Sequence, residues 1–462
     1  MKINNQHASS FRDPSGVVFS DEGVIKRTIF PVYFKQYEAL KNQKFFSKLF
    51  KLKLLIEHKE VFSSESQIVI EPEQIPFITY PYEWSFNQYK EAALLTLKIQ
   101  KYALENGFSL KDASAFNVTF HNGHAIFIDT LSLDFYQENS PWRAYKQFIT
   151  HFLGPLVFAH YHGAQSLKLM SNFIDGIPMK MLSSMLPIKT KLSPFIYSNI
   201  HLLAKFEDKH NEDVKTDSKA SSLTKKGQLN IINSLYDYIK KLSLKEHSEW
   251  GDYYDKINYS DQAFIQKETI INSWIEKLQV KTLIDIGGND GTFVRRIKSD
   301  ICQALVCDID NNAVDFNYKK IKQNKENNIT PFVLDVLNPS AAIGFNNKER
   351  TSFLNRIQSF KPDVTLALAV IHHMTLSGNI PFSMSADFFA SFSEYLIIEF
   401  PKRGDSWVNR LLNTKGEFKA HFNFYNIENF EADYSRFFEV ESKIDIEESE
   451  RVMYLFKNKD VK

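Results

Sequence analysis

Short apolar runs alternate with longer amphipathic stretches in the second half of the chain. Five of the runs have the length of buried strands, at 283–286, 304–308, 331–335, 363–370 and 395–400. Strands that are apolar on both faces and separated by helices are typical of a parallel, doubly wound sheet. The later runs 437–446 and 451–457 flank a short acidic turn and indicate an antiparallel pair. The pattern therefore predicts an α/β fold whose sheet ends in a hairpin.

The pattern in residues 1–204 differs and predicts a mixed α+β domain. The predicted elements are a hairpin at 11–29, a helix at 35–60, a strand–turn–strand at 67–84 and a helix at about 86–106. Residues 205–228 have almost no large apolar side chains, so we predict a flexible linker there. Two helical patterns, at 229–246 and 261–278, then precede the sheet. The predicted domains are 1–204 and 229–462.

Composition narrows the class of protein. The 462 residues suffice for two or three domains, and 43% hydrophobic with 24% charged residues is an ordinary globular balance. A net charge of +1 gives no overall attraction to nucleic acid or to an anionic membrane. No apolar run approaches the ~20 residues that span a bilayer. We expect neither a nucleic-acid partner nor a membrane span, and the oligomeric state stays open.

Cysteine content and the N-terminal residues indicate the compartment. The chain has two cysteines, Cys302 and Cys307, too few for a disulfide framework or for a zinc site with four thiolates. The first residues, MKINNQHASSFRDP, lack the apolar core of a signal peptide. We therefore expect a cytoplasmic protein.

The segment KTLIDIGGNDGTF, at 281–293, joins a buried strand to a helix through a glycine turn. Asp285 lies near the end of the strand, and glycines follow at 287, 288 and 291. Glycines allow a ligand to approach the backbone, and the first turn of a helix has N–H groups without helical partners. The segment therefore predicts a site for a small polar ligand.

The residues around this turn narrow the choice of ligand. The dinucleotide fingerprint G-x-G-x-x-G is absent, since Asn289 stands where its second glycine belongs, so a ligand without a pyrophosphate is favoured. Asp285, Asp308 and Asp335 each end one of the first three predicted strands, where α/β sheets bind ligands. Asp308 could accept both hydroxyls of a ribose, and Asp335 the amine of an adenine. The alternative is that these acids cap helices or lie in solvated turns.

Together these segments resemble class I S-adenosylmethionine-dependent methyltransferases over about 229–462. IDIGGNDGTF resembles the first motif of that family, VCDID the second, FVLDV the third and DVTLALAVIHH the fourth. The terminal pair resembles its reversed seventh strand. The resemblance implies a seven-stranded Rossmann-like sheet, a methyltransferase activity and S-adenosylmethionine as cofactor.

The resemblance also implies roles for individual residues. Asp285 and the backbone at Gly287, Gly288 and Gly291 would line the methionine end of the cofactor. Asp308 would bind the ribose, with Asp310 as its possible substitute, and Asp335 would bind the adenine. Asn289 lines the same turn and departs from the family, in which glycine is commoner there.

Two adjacent histidines are the candidate catalytic bases. His372 and His373 end the fourth predicted strand, on the acceptor side of this fold, and a histidine can take a proton near neutral pH. The alternative is a structural, hydrogen-bonded role, and Glu399 is a lesser candidate base. Adjacent residues on a strand point to opposite faces, so the pair does not indicate a metal site. We expect no metal.

The N-terminal domain weakly resembles a protein-kinase-like fold. Asp112, Asn117 and Asp129 have the spacing of the kinase catalytic loop and of its metal-binding aspartate, and Lys26 is a candidate phosphate-binding lysine. The chain departs from that pattern because it has no glycine-rich loop and because Thr130 follows Asp129. The alternative is that these polar residues stabilise turns.

Nearly the whole chain resembles the rhizobial host-specificity nodulation proteins that are methyltransferase-like. The similar segments are FRDPSG (11–16), PYEWSF (81–86), KDASAFN (111–117), IDTLS (128–132) and the glycine turn. This resemblance implies a bacterial enzyme that modifies a small molecule or a glycan. Two other hypotheses stay open, a bifunctional kinase–methyltransferase and a non-catalytic binding protein with a relic cofactor pocket.

Overall fold

The computed structural model describes residues 6–206, 223–244 and 260–460. The chain divides into two compact units. The first comprises Met1–Glu246 and Ala342–Thr351, and the second His247–Ala341 and Ser352–Lys462. Among the described residues, no helix is both long and apolar enough to cross a bilayer.

The first unit contains a four-stranded antiparallel sheet of order β1-β2-β4-β3. Its strands are β1 Gly16–Asp21, β2 Val24–Ile29, β3 His58–Ser63 and β4 Ile68–Pro72, and helices α1 Phe34–Asn42 and α2 Phe45–Lys51 lie between β2 and β3. The predicted hairpin is confirmed. The single helix predicted at 35–60 was wrong, because Lys44 adopts a left-handed conformation (φ 54°) and separates two helices.

The strand–turn–strand predicted at 67–84 was wrong in its second half. Residues 73–84, all of them described, form no strand after β4. Pro76 and Pro81 lie in this segment, and a proline has no N–H with which to extend a sheet.

The rest of the first unit is mainly helical, with two short antiparallel strand pairs. Strand β5 (Phe108–Leu110) pairs with β8 (Leu133–Phe135), and β6 (Val118–His121) pairs with β7 (His124–Phe127). The α-helices of this part are α3 Phe86–Glu105, α4 Tyr145–Phe148, α5 Gly154–His162, α6 Met179–Met185, α7 Pro194–Ile196 and α8 Lys225–Lys241.

Helix α8 corrects the predicted domain boundary. We assigned residues 225–228 of this helix to the linker and the rest to the C-terminal domain, but α8 packs on α3 within the first unit. Lys101 Nζ donates to Asn233 Oδ1 (3.1 Å), and Lys90 Nζ donates to the carbonyl of Leu242 (2.8 Å). The division falls after Glu246 and not within 205–228. Of the predicted linker, residues 207–222 lie outside the described residues.

The second unit is built on a seven-stranded sheet of order β11-β10-β9-β12-β13-β15-β14. The strands β9 to β13 run parallel, and β15 lies antiparallel between β13 and β14. Their bounds are β9 Thr282–Ile286, β10 Gln303–Asp308, β11 Ile329–Val333, β12 Val364–Ala367, β13 Tyr395–Pro401, β14 Phe438–Ile446 and β15 Arg451–Asn458. The doubly wound α/β prediction is confirmed.

Helices on this sheet complete the unit. They are α9 Asp261–Leu278, α10 Thr292–Arg295, α11 Asn311–Asn324, α12 Phe353–Phe360, α13 Phe382–Ala390, α14 Ser406–Thr414 and α15 Ile427–Tyr434. Helix α9 buries Ala263, Ile271 and Ile275 in the same hydrophobic cluster as Leu283 of β9. This packing fixes the first strand, and with it the glycine turn that follows.

The fourth strand is shorter than predicted. Strand β12 ends at Ala367, and Ala369 has a left-handed backbone (φ 54°) that turns the chain away from the sheet. A helical turn at His373–Ser377 follows. Leu368, Val370 and Ile371 are buried outside the strand, and hydrophobicity alone does not distinguish a buried strand from a buried turn.

Candidate functional site

The second unit has a cavity of about 310 Å³ at the carboxyl ends of its parallel strands. Asp285, Asp308 and Asp335, each predicted to end a strand, all line it. Asp285 lies within β9, Asp308 ends β10, and Asp335 follows β11. Because parallel strands end at the same edge of a sheet, the three acids meet although they are distant in sequence. The volume is at the lower end of the range for small-molecule sites.

Asp285 is the most unusual side chain in this cavity. It is 1% exposed, and neither carboxylate oxygen has a hydrogen-bond partner among the described residues. Burial raises the pKa of Asp285 to about 7, the charge of Lys267 opposes the rise, and the charges of Asp308 and Asp290 add to it. A buried acceptor without a partner lowers the stability of the fold. Such a group is often kept because it binds a ligand.

The glycine turn brings the backbone close to this carboxylate. Gly287 and Gly291 have φ values of 73° and 75°, which favour glycine. A Cβ on Gly288 would lie 2.7 Å from the carboxylate carbon of Asp285. Asn289 also has a positive φ, 48°, and asparagine tolerates the left-handed region better than most residues. This explains how asparagine replaces the commoner glycine.

The N–H groups of the turn are used within the protein. Those of Gly287 and Gly288 donate to the carbonyl of Cys307, at 2.9 and 3.0 Å. The N–H of Asn289 donates to Asp308 Oδ2 at 3.0 Å. Helix α10 is only four residues long. The N–H of Thr292, the first residue of this helix, donates to Asp290 Oδ1 at 3.1 Å.

The other two strand-end acids differ from each other in their surroundings. Burial raises the pKa of Asp308 to about 6, although the N–H groups of Asp310 and Asn289 donate to its carboxylate. Asp310 also lines the cavity, but its side chain caps α11 by accepting from the N–H of Asn312 (2.8 Å). Asp335 is half-buried and accepts from the N–H of Leu337 at 3.0 Å.

Lys267 lines the same cavity and was missed by the sequence analysis. It lies on the buried face of α9, is 2% exposed, and its Nζ contacts Glu399 Oε2 at 2.6 Å. Nζ also lies 4.4 Å from the ring centroid of Phe293. The available signal was a lysine at an apolar position of an amphipathic helix, since buried lysines are rare unless paired.

The two candidate histidines lie on a helical turn and not at a strand end. Their ring centroids are 4.1 Å apart, so the expectation that they point to opposite faces of a strand was wrong. His373 lines the cavity, and burial lowers its pKa. His372 is 1% exposed, burial lowers its pKa further, and it is absent from the cavity lining.

The lesser candidate base, Glu399, belongs to a buried ion-pair network. It is fully buried, and Arg451 Nη1 contacts its Oε1 at 3.2 Å while Lys267 contacts its Oε2. Arg451 Nε also contacts Asp405 Oδ2 at 2.8 Å. Because two cations contact this buried carboxylate, a structural role in the ion-pair network is favoured for Glu399 over the role of a base.

In the first unit, the candidate kinase residues contact one another and their neighbours. Asp129 pairs with Arg27 and accepts from the hydroxyl of Ser132. Asp112 Oδ1 accepts from Gln147 Nε2 at 2.9 Å, and burial together with the charge of Asp129 raises its pKa.

Asn117 and Lys26 complete this set. Asn117 Nδ2 donates to Ser132 Oγ at 3.2 Å. Lys26 contacts Asp21 at 2.8 Å and lies 4.0 Å from Glu71, so Arg27 rather than Lys26 is the cation at Asp129. In the part of the chain that the structure describes, no group of three or more His, Cys, Asp or Glu residues could hold a metal ion.

Comparison with known proteins gives the family. No family profile matches the sequence. Nodulation protein NoeA of Rhizobium meliloti (strain 1021) is 30% identical over 469 residues, which cover 98% of this chain and 96% of that protein. The chain belongs to the nodulation protein NoeA family. The resemblance to nodulation proteins over nearly the whole chain is therefore confirmed.

The second unit of this NoeA-family chain has the seven-stranded sheet that the resemblance to class I S-adenosylmethionine-dependent methyltransferases implied. Its final strand lies antiparallel between the fifth and sixth, as the resemblance implied. The chain is also similar to N-methyltransferase NodS of Bradyrhizobium japonicum WM9, solved with S-adenosyl-L-homocysteine (TM-score 0.31, 11% identity, 46% of this chain and 100% of NodS). Another similar structure is the bifunctional kinase-methyltransferase WbdD, with a TM-score of 0.29 and 13% identity. The match covers 47% of this chain and 43% of WbdD. Similarity at this level carries no information on substrate.

Proposed function

We propose that this NoeA-family chain transfers the methyl group of S-adenosylmethionine to a small-molecule or glycan acceptor. One observation carries the proposal: the Asp285 carboxylate lies buried without a hydrogen-bond partner among the described residues, at the edge of the cavity. An ammonium group would satisfy it, and the methionine part of the cofactor has one. The hydrogen-bond acceptors of the cavity therefore fit this cofactor.

The other acids fit the nucleoside part. Asp308, at the end of the next strand, would accept from the ribose hydroxyls, and Asp335 from the adenine amine. Asp310 is the weaker candidate for the ribose because its carboxylate is already used to cap α11. Gly287, Gly288, Asn289 and Gly291 keep the turn compact enough for the methionine part to pass close to the backbone.

The cofactor supplies a methyl group on a sulfonium, which an acceptor atom attacks in line. The residues of the chain then position the reactants and exclude water. His373 is the candidate that would take a proton from a hydroxyl or ammonium acceptor, since its lowered pKa leaves the imidazole neutral at pH 7. His372 is absent from the cavity lining, so a structural role is favoured for it.

A transfer assay tests the proposed function. The full chain is incubated with tritiated-methyl S-adenosylmethionine and bacterial extract that has been separated into nucleic acid, protein, glycan and small-molecule fractions. We expect label in the glycan or small-molecule fraction, and none with Asp308→Ala. Label only in nucleic acid or protein would contradict the proposed acceptor class. Micromolar binding without any transfer would favour the relic-pocket hypothesis.

The affinity for S-adenosylhomocysteine should depend on pH because binding needs an ionised Asp285. The pKa of Asp285 is about 7 and that of Asp308 about 6. Both carboxylates are therefore mostly ionised at pH 7.5, whereas at pH 6 Asp285 is mostly protonated and Asp308 about half protonated. We expect binding about 10- to 20-fold weaker at pH 6 than at pH 7.5. Calorimetry at both values measures this, and Asp285→Asn should keep only about a twofold dependence. A flat profile in the unsubstituted protein would contradict an Asp285 that must lose its proton.

Replacing His373 with asparagine should separate transfer from cofactor binding. If His373 takes the acceptor proton, His373→Asn should lower the transfer rate by about 100-fold or more. The affinity for S-adenosylhomocysteine should change less than about threefold. His372→Asn is the matched control, and transfer measured below its unfolding temperature should be retained. Full activity of His373→Asn would assign that histidine a structural role.

No contact in the described part of the first unit favours the kinase hypothesis over a structural role. Asp129 is held by Arg27 and Ser132, and Lys26 is turned to Asp21. The kinase-like fold of this unit stays a prediction, as do the cytoplasmic location and the lack of a nucleic-acid partner. We propose that the unit serves substrate recognition.

A further inference from the structure

Lys267 occupies a buried position at which a charged side chain lowers the stability of the fold unless it is paired. It occupies the buried face of α9 together with Ala263, Ile270 and Trp274, where an apolar side chain would pack without loss of hydration. Burial lowers its pKa, and the charge of Glu399 opposes that effect. A buried ammonium is stable only with partners, so the residue either stabilises the ion-pair network or binds a ligand.

The ion-pair network does not depend on Lys267 alone. Arg451 contacts both Glu399 and Asp405, so Glu399 would keep one cation if Lys267 were absent. Lys267 differs from Arg451 because it also lines the cavity beside Asp285. Among the described residues that line the cavity, it is the only lysine or arginine.

Asp285 and Lys267 together present two buried charges of opposite sign to one cavity. Both side chains line the cavity, and the charge of Lys267 lowers the pKa of Asp285. An α-amino acid is a zwitterion, whose ammonium and carboxylate would meet Asp285 and Lys267 without adding a net charge. A ligand with an amine but no carboxylate would bind Asp285 and make no ionic contact with Lys267.

The glycine turn does not offer another donor for that carboxylate. The N–H groups of Gly287 and Gly288 donate to Cys307, and that of Asn289 donates to Asp308. The N–H of Gly291 donates to the carbonyl of Gly288 at 2.8 Å. A carboxylate bound beside the turn therefore needs a side-chain donor, and the cation in the lining is Lys267.

We propose that the Lys267 ammonium binds the carboxylate of the methionine part of the cofactor, and that this lysine selects nucleoside ligands that carry a complete amino acid. The inference rests on the proposed function and adds a specificity-determining residue to it. Lys267 keeps its contact with Glu399 and donates a further hydrogen bond to the ligand, since an ammonium has three donors.

The test compares two ligands that differ only in the carboxylate. Calorimetry on the full chain measures S-adenosylmethionine and its decarboxylated analogue against Lys267→Met, which removes the charge and keeps an apolar stem. We expect the affinity for S-adenosylmethionine to fall about 10- to 100-fold further than that for the decarboxylated analogue, which falls only because loss of the lysine charge raises the pKa of Asp285. Lys277→Met, an exposed lysine on the same helix, is the matched control and should change neither affinity.

Each other outcome has a definite meaning. Equal losses for both ligands, or no loss, would overturn the role of Lys267 and leave the proposed function intact. Failure of the unsubstituted chain to bind S-adenosylmethionine would instead overturn the proposed function. If Lys267→Met does not fold, the double variant Lys267→Met/Glu399→Gln removes both charges of the pair, and the same difference between the two ligands is expected.

Discussion

Replacing Asp308 with alanine should abolish micromolar binding of S-adenosylhomocysteine. A carboxylate that accepts from two ribose hydroxyls makes two charge-assisted hydrogen bonds, each contributing about 1.5–3 kcal/mol. Their loss corresponds to an affinity reduced by about 100-fold or more. Calorimetry on the full chain measures it. 5′-Methylthioadenosine, which keeps the ribose and lacks the amino acid, should lose affinity to the same extent.

Asp310→Ala is the matched control for this prediction. Asp310 also lines the cavity but caps α11, so its loss should lower the free energy of unfolding by about 1 kcal/mol and affinity by less than about fivefold. If Asp310→Ala abolished binding while Asp308→Ala did not, the ribose would be assigned to Asp310. Asp308→Asn is a second variant in case Asp308→Ala does not fold, because its amide oxygen can still accept from the N–H of Asn289.

Replacing Asp285 with asparagine should weaken cofactor binding and stabilise the fold at the same time. Loss of the carboxylate removes a buried charge-assisted bond to the cofactor ammonium, so we expect affinity for S-adenosylhomocysteine about 30- to 100-fold lower. The rise of the Asp285 pKa from 3.8 to about 7 corresponds to about 4 kcal/mol of lost native-state stability above pH 7. The amide that replaces it still has unpaired polar atoms, which cost about 1–3 kcal/mol. A net gain of about 1–3 kcal/mol is therefore expected at pH 8.

The size of this effect on stability depends on pH. The native state holds the Asp285 proton more tightly than the unfolded chain, so the unsubstituted protein should lose stability as pH rises from about 4 to about 7. Asp285→Asn removes the Asp285 part of that slope and leaves the part due to Asp308, so the two proteins should differ most at pH 8. Chemical denaturation at pH 5 and pH 8 measures the difference. A variant less stable than the unsubstituted chain at pH 8 would show that Asp285 stabilises the apo fold and is not held for a ligand.

These opposite effects on binding and stability would separate a functional acid from a structural one. A helix-capping or ion-paired aspartate contributes stability, and its replacement lowers it. Asp310, with its capping bond to Asn312, is such a residue. Asp285, without a hydrogen-bond partner among the described residues, should behave in the opposite way.

The sequence by itself determined the α/β class of the second unit and three acids of its cavity. Strand-end positions are visible in the sequence because a buried strand is an apolar run that ends at a polar residue or a glycine, as at Gly287, two residues after Asp285, and at Asp308. The carboxyl ends of parallel strands must meet, so the cluster followed from the order of the strands. The reversed last strand followed from the resemblance to the methyltransferase family.

Only the tertiary structure decided what approaches those acids from elements distant in the chain. Lys267 reaches the cavity from the preceding helix, and helix α8 belongs with the first unit because of its contacts with α3. The end of β12 and the helical turn at His373 depend on the backbone of Ala369, which no hydrophobic pattern marks. Local patterns record whether a residue is buried, whereas its partners are set by packing between segments far apart in sequence.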